Sequence, residues 1–422
     1  MMLVTHPLGN ACVRAVLVGL ETRALLACYL TTLGFHRGDC WIGWLPVQTR
    51  RQLVRRFYDL PRERVQRWPM RETARLLGQG LGFSSWIAHE RGWASVDAVF
   101  RDLDRRAAAA LDRFGGLRGV YAYEDGALEL FRVAERRGLA RCYELPMGYW
   151  REAQRIFQEE AELQPEWAET LDGLKDSTEK LVRKDEELAR ASHVVVASGF
   201  SRRCVATFPR PLAAPVSVVP HGAPPPVSEA ALKQRLRERR AGPLRVLFVG
   251  GLSQRKGLSY LFAAMQLVGP RATLTLVGRA PADVRCPALT AALRAHRHIP
   301  SLAPESLFEL MCQHDVLVLP SLFEGFGLVL SEAMAQGLPV IATPHTAAPD
   351  LFSGEDAGAI VPIRSAEAIA EAMLGLAADA GCREAMALAA RRIAERADWA
   401  ACSARLTEIC LDAMQAASSV TR

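Results

Sequence analysis

PSLFEGFGLVLSEAMAQGLPVIAT, residues 320–343, follows directly on the run VLVL. The order apolar run, glycine turn, helical spacing and second apolar run decides the fold. The first run is unbroken β-former. Gly325 and Gly327 permit a sharp turn, and a helix begins near Leu328 and stops at Gly337-Leu338-Pro339. PVIAT then restores a strand. Two apolar strands joined by a helix read as neighbours in a parallel sheet covered on both faces. Glu324 and Glu332 flank the turn, where packing alone asks for no carboxylate.

The same alternation runs outward from this stretch. LRVLFVGG (244–251) and ATLTLVG (272–278) read as strands, with GLSYLFAAMQLV and PESLFELMCQHD as helices between the sheet positions. In the first half MLVTHP, LLACYLTTLG, GVYAY, ARCYELP and HVVVAS read as strands. ACVRAVLVGLETR, GALELFRVAERRG and the long charged segment 151–190 read as helices. PHGAPPPVSEAALKQRLRERRAGP is rich in proline and charge, as connectors are. The expected organisation is an α/β chain of two facing Rossmann-like domains with parallel sheets. Residues 1–220 form the first, 221–243 a linker and 244–396 the second, and a helix in 397–422 crosses back to the first. Two such sheets leave an interdomain cleft at their strand ends.

Composition agrees with two cores: 422 residues, 50% apolar and 23% charged. No apolar run reaches the roughly eighteen residues that cross a bilayer, and residues 1–10 do not read as a secretory signal. The ten cysteines follow no metal-ligand or disulfide spacing. The expected location is therefore the cytoplasm. The formal charge is +6, and the window 49–76, with nine arginines against three acids, carries the same excess. Arg50, Arg51, Arg55, Arg56, Arg62, Arg64, Arg67, Arg71 and Arg75 form either a solvated helical face or a patch for an anionic substrate or an anionic membrane surface, the last of which would place the protein peripherally at the inner membrane face. Phe57, Tyr58 and Trp68 suit an interface. No base-reading motif accompanies them, so nucleic acid is not expected as a partner.

At the glycine turn, the amino end of the helix offers unpaired N–H groups and partial positive charge, a site for phosphate. Carboxylates on either side accept hydrogen bonds from hydroxyls. A diphosphate between two polyols is a nucleotide-sugar. A helix cap at Glu324 with a solvated Glu332 is the plainer account of either residue taken alone.

Glu324 and Glu332, separated by seven residues in SLFEGFGLVLSEAMAQGLPVIAT, resemble the E-x7-E motif of retaining glycosyltransferases of family 4, which have the GT-B fold. The resemblance also covers VLFVGGLSQRKGLSYL, HVVVASGFSRRCV and VVPHG, and is strong over about residues 190–345. It implies that Glu324 contacts the donor sugar and Glu332 the ribose. Gly325, Phe326, Gly327 and Leu328 would face the diphosphate, and Lys256 would neutralise it. The family often has an arginine where this chain has Gly251, and Arg255 is the candidate replacement. Gly9 and Asn10, after the first strand, would approach the donor from across the cleft.

On the acceptor side Glu144 and Tyr149, with Trp150, compete with an ordinary strand end carrying core aromatics. His221 is a hinge or surface residue, and Tyr123-Glu124-Asp125 a further strand-end candidate. No metal and no cofactor besides the donor substrate are expected. The function so implied is a retaining hexosyl- or other glycosyltransferase. It would move a sugar from a nucleoside diphosphate sugar to a saccharide or lipid-linked acceptor in exopolysaccharide, capsule or lipopolysaccharide assembly. A non-catalytic GT-B partner subunit is the alternative. A nicotinamide-dependent oxidoreductase would share the sheets, but FVGGLSQRKG lacks G-x-G-x-x-G spacing.

Overall fold

The computed structural model describes residues 1–36, 39, 44, 53, 56–239, 241–281 and 284–420. Continuous β-branched and aromatic runs form the inner strands, because both faces of each sheet are covered by helices. The first sheet contains β1 (Met2–Thr5), β2 (Leu26–Thr31), β3 (Val65–Arg67), β4 (Gly119–Tyr123), β5 (Ala140–Leu145), β6 (His193–Val196) and β7 (Val216–Val218). Its spatial order is β3-β2-β1-β4-β5-β6-β7. The second contains β8 (Leu244–Val249), β9 (Ala272–Val277), β10 (Arg297–Ile299), β11 (Val316–Leu319), β12 (Val340–Ala342) and β13 (Gly358–Ile360), ordered β10-β9-β8-β11-β12-β13. Their ladders are parallel, for example Leu317 beside Val340 and Val246 beside Leu274.

Each order reverses once, between β1 and β4 and between β8 and β11. At such a reversal the helices leave on opposite faces and open a crevice at the carboxyl ends of the strands. The crevices are edged by residues 6–10 and 124–126 in the first domain, and by residues 250–257 and 320–327 in the second. The glycine turn thus stands at the second reversal point.

The chain passes between the domains at adjacent places. Ala223 N–H bonds Ala397 O at 2.5 Å, and Ala223 bridges Asp398. The linker also holds a helix, Glu229–Glu238. Helix Trp399–Val420 returns to the first domain and packs on helix Ala11–Thr22, with Ser403 Oγ donating to Ala15 O at 2.7 Å. Its Leu406, Ile409 and Cys410 share a core with Val4, Tyr29 and Tyr121.

Segment 151–190 is not one helix. Helix Trp150–Leu163 stops before Pro165, a 3-10 stretch Pro165–Thr170 follows, and helix Thr178–Arg190 resumes. Proline cannot donate the backbone bond that would continue the helix. The break turns Trp167 into the core of the second domain, against Phe262 at 5.9 Å between ring centroids.

Candidate active site

Two loops of the second domain build the centre of the site. After β8 the chain turns through the 3-10 segment Gln254–Lys256, and after β11 through residues 320–327. They are laced together: Leu322 N–H bonds Arg255 O at 2.9 Å, and Arg255 Nη1 donates to Phe323 O at 3.0 Å. Lys256 Nζ forms an ion pair with Glu324 Oε2, and Arg255 Nη1 stands 3.5 Å from the same oxygen. Burial pulls the Lys256 ammonium below its ordinary range, against the attraction of Glu324. Two cations and one carboxylate are therefore gathered in a part of the cleft shielded from water, where charge–charge forces are stronger than in solution.

Helix Leu328–Ala335 begins beside this cluster. Its N-cap, Gly327, has φ 86°, a conformation that suits glycine. No side chain caps the helix and no acid lies in its first turn, so its amino end keeps the helix's positive character. Leu328 is exposed there, while Phe326 is buried. One turn on, Glu332 is half-buried, and its carboxylate has no hydrogen-bond or ion-pair partner among the described residues. Burial raises its pKa above the usual range.

The first domain closes on the same place. A side chain at Gly325 would put its Cβ 1.9 Å from Pro146 O, so the loop approach requires glycine. Ser198 Oγ and Ser201 Oγ both donate to Gly325 O, at 2.6 and 3.1 Å. His221 links three parts of the chain. Its ring lies 4.8 Å from that of Phe326, stacks on Trp399, and its Nε2 is 3.3 Å from Cys12 Sγ. Burial lowers its pKa to about 4. Hence His221 sits at the hinge as a neutral, half-buried ring packed between Phe326 and Trp399.

Gly9 has φ 66° and its N–H donates to His6 Nδ1 at 2.8 Å. Asn10 caps helix Ala11–Thr22 through Oδ1, which accepts from Val13 N–H at 2.7 Å. His6 itself was not legible as a site residue. It is buried against Tyr123, its pKa lowered to about 3 by burial with help from Arg56, and it shapes the loop as a hydrogen-bond acceptor.

The acceptor-side candidates lie deeper. Glu144 is buried, accepts from Tyr121 Oη at 2.6 Å, and burial raises its pKa to about 7. Tyr149 is core, packed on Phe208, and its hydroxyl donates to Asp185. Trp150 Nε1 donates to the same carboxylate at 2.6 Å. The structure therefore places Tyr149 and Trp150 in the packing at the start of helix Trp150–Leu163 and Glu144 inside the first domain beside Tyr121, not in the open cleft. After Tyr123, Asp125 has φ 72° and its N–H bonds Glu187 Oε2 at 2.8 Å. Arg183, Lys180 and Lys184 surround Asp125 at 3.1, 3.9 and 3.7 Å, and Lys184 also faces Glu124 at 3.5 Å.

The arginine window is less free than a solvated face would be. Arg56 and Arg75 both pair with fully buried Glu72. Arg62 pairs with Asp39, Arg71 approaches Asp102, and Arg64 and Arg67 donate to backbone carbonyls. Arg50, Arg51 and Arg55 lie outside the described residues. At the end of the window and just past it, Met70, Leu77, Leu81, Phe83 and Trp86 are exposed on helix Met70–Leu81 and the short helix Ser84–Ile87 with the residue before it. No helix among the described residues is long and apolar enough to cross a membrane.

An Asp-x-Asp, Asp102-Leu103-Asp104, a pattern that can clamp a metal on a diphosphate, lies inside helix Val96–Ala110. Asp104 accepts from the N–H groups of Glu129 and Leu130, and Asp102 from Arg106, so both serve helix packing. His89, Glu90 and Asp176 come within 4.8 Å of one another. Lys180 already holds Asp176 at 3.0 Å, and Ser177 holds Glu90, which accounts for this group without an ion.

Two parallel-sheet Rossmann-like domains, meeting at the carboxyl ends of their strands, define the GT-B class of glycosyltransferase folds. Within it, residues 243–379 match the family model described as Glycosyl transferases group 1. A phosphatidyl-myo-inositol mannosyltransferase of Mycolicibacterium smegmatis is 32% identical over 170 residues, 39% of this chain and 44% of the relative. The chain spans less than half the length of such curated relatives in these matches. Among solved structures, sucrose-phosphate synthase from Thermosynechococcus elongatus has TM-score 0.67 at 18% identity, covering 98% of this chain and 99% of that one. Anabaena Alr3699/HepE in complex with UDP and glucose has TM-score 0.63 at 16% identity, covering 96% and 98%. At these identities the likeness is one of fold. Residues 243–379, most of the second domain, are thus similar to the group 1 glycosyl transferases.

Proposed function

We propose that the protein is a retaining glycosyltransferase of family 4, moving a sugar from a nucleoside diphosphate sugar to a saccharide or lipid-linked acceptor. The observation that carries the reading is the gathering of Lys256, Arg255 and Glu324 beside the uncapped helix end at Gly327, with Glu332 unpartnered one turn on. In this assignment the helix amides and the two cations hold the diphosphate, Glu324 meets the sugar and Glu332 the ribose. As the glycosidic bond breaks, the cations and the helix end stabilise the leaving diphosphate, and no metal is required. The leaving phosphate oxygen takes the acceptor's proton on the same face, so retention needs no strong protein base. Loops from both domains exclude water and suppress hydrolysis of the donor.

The mannosyltransferase relative is named for a lipid acceptor. Carried to this chain, that favours a lipid-linked acceptor reached from the inner membrane face, and the exposed apolar side chains from Met70 to Trp86 suit such docking. Exopolysaccharide, capsule or lipopolysaccharide assembly is the corresponding setting.

The test is a thermal-shift screen of uridine, guanosine and adenosine diphosphate sugars, followed by NMR of the product from the stabilising donor. Stabilisation by one donor class and transfer with the donor's own anomeric configuration are expected. No binding by any of them removes the donor-site assignment, and an inverted product removes the retaining one.

A further inference from the structure

The turn that presents Arg255 and Lys256 is not self-supporting. Its N-cap, Ser253, makes no side-chain capping bond, and Gly257 ends it at φ 70°. Its first residue, Gln254, is fully buried and fastened from the other domain. Gln254 N–H donates to Thr170 Oγ1 at 2.8 Å, and Gln254 Nε2 to Glu160 Oε1 at 2.6 Å. Locally, Nε2 also reaches Ser259 Oγ at 2.6 Å, and Gln254 Oε1 accepts from Ser259 N–H at 3.1 Å. Each polar atom of this glutamine side chain is therefore committed.

Glu160 is fully buried on helix Trp150–Leu163 and touches the second domain through both oxygens. Oε1 also accepts from Tyr260 Oη at 3.0 Å, and Oε2 from Arg364 Nε at 2.7 Å. Arg364 holds φ 63°, unusual for a side chain of this size, and donates again to Ile156 O at 3.2 Å. A buried carboxylate is tolerated only where it is paired and hydrogen-bonded. Among the described residues those conditions are met by Gln254, Tyr260 and Arg364, all of the opposite domain. Five residues on, Pro165 ends the helix and turns Trp167 into the second domain's core, which locks the whole segment in place.

We propose that Glu160 is a positioning residue of the diphosphate site: acting across the domain interface through Gln254, it fixes the turn on which Arg255 and Lys256 face Glu324. This rests on the donor site proposed above. Grip on the diphosphate then depends on contact between the domains, so donor affinity and domain closure are coupled.

The experiment compares Glu160→Ala, Glu160→Gln, Gln254→Ala, the double variant Glu160→Ala with Gln254→Ala, and Lys256→Ala. Calorimetry measures the affinity of each for the nucleoside diphosphate that binds the wild type among UDP, GDP and ADP, and for the matching nucleoside. Circular dichroism verifies folding. Glu160→Ala and Gln254→Ala should each weaken the diphosphate about tenfold or more while leaving the nucleoside unchanged, since a merely loosened protein would lose both. The pair should be non-additive, because the two residues act as one contact. Glu160→Gln, which keeps an acceptor oxygen for Gln254, should recover part of the affinity. If Glu160→Ala does not fold, Gln254→Ala decides. Diphosphate affinity unchanged in the folded variants, with Lys256→Ala still losing it, overturns the proposal and leaves the donor site standing. A wild type that binds none of the three diphosphates overturns both.

Discussion

Lys256 and Glu324, 68 residues apart in the chain, form an ion pair in which each residue is only 7% exposed. Removing one member of such a pair leaves the other charge buried, which costs roughly 3 kcal/mol. Lys256→Ala and Glu324→Ala should therefore each lower the denaturant midpoint. The double variant should regain most of that stability, because neither buried charge of the pair remains and Arg255, 30% exposed, stays within reach of water. It should not regain diphosphate binding or sugar transfer. Recovery of binding in the double variant would show that the pair is structural alone.

The way these loops meet explains what a sequence can and cannot reveal. The inner strands β1, β2, β4, β5, β6, β8, β9, β11 and β12 are apolar runs, because they are covered on both faces. The strands β3, β7, β10 and β13 gave no such signal, and each is a three-residue strand at the edge of its sheet. Val216–Val218 is half-exposed throughout, and Arg297–Ile299 is RHI. An edge strand buries less side chain, so its composition is freer. Glu324, Lys256 and Glu332 stood out through spacing around glycines. Glu160 did not, because it is one acid in the charged helix Trp150–Leu163, and its partner Gln254 lies 94 residues away. His6 is a similar case, since its partners are backbone N–H groups.

Gly251 offers a gain-of-function test. It is exposed, a Cβ there would meet nothing within 4 Å, and its φ is not among the left-handed glycines. Gly251→Arg should fold with a stability change within about 0.5 kcal/mol. A guanidinium so placed should tighten nucleoside diphosphate binding several-fold, measured by calorimetry, since charge-assisted bonds to phosphate are strong. An unchanged affinity would mean that position 251 does not face the diphosphate.

The exposed apolar ridge gives a third expectation. Leu77 and Leu81 are 54% and 65% exposed, so Leu77→Glu with Leu81→Glu should leave the melting temperature nearly unchanged. Co-sedimentation with vesicles containing anionic lipid should be lost in the same variant, because two charges would enter the apolar layer. Wild-type levels of vesicle binding would exclude this ridge as the docking element.

Glu144 should make stability depend on pH. Burial raises its pKa from 4.5 to about 7, although the hydrogen bond from Tyr121 opposes the shift. Between those two values the folded protein keeps a proton that the unfolded chain releases. Folding stability therefore falls as pH rises through the interval and levels off above about pH 7. Glu144→Gln retains an oxygen for Tyr121 to donate to and has no proton to lose. Its melting temperature relative to the wild type should rise steadily from about pH 5 to pH 7, with a gain of the order of 1–3 kcal/mol. Parallel curves for the two proteins would mean that Glu144 ionises in the fold as easily as in water.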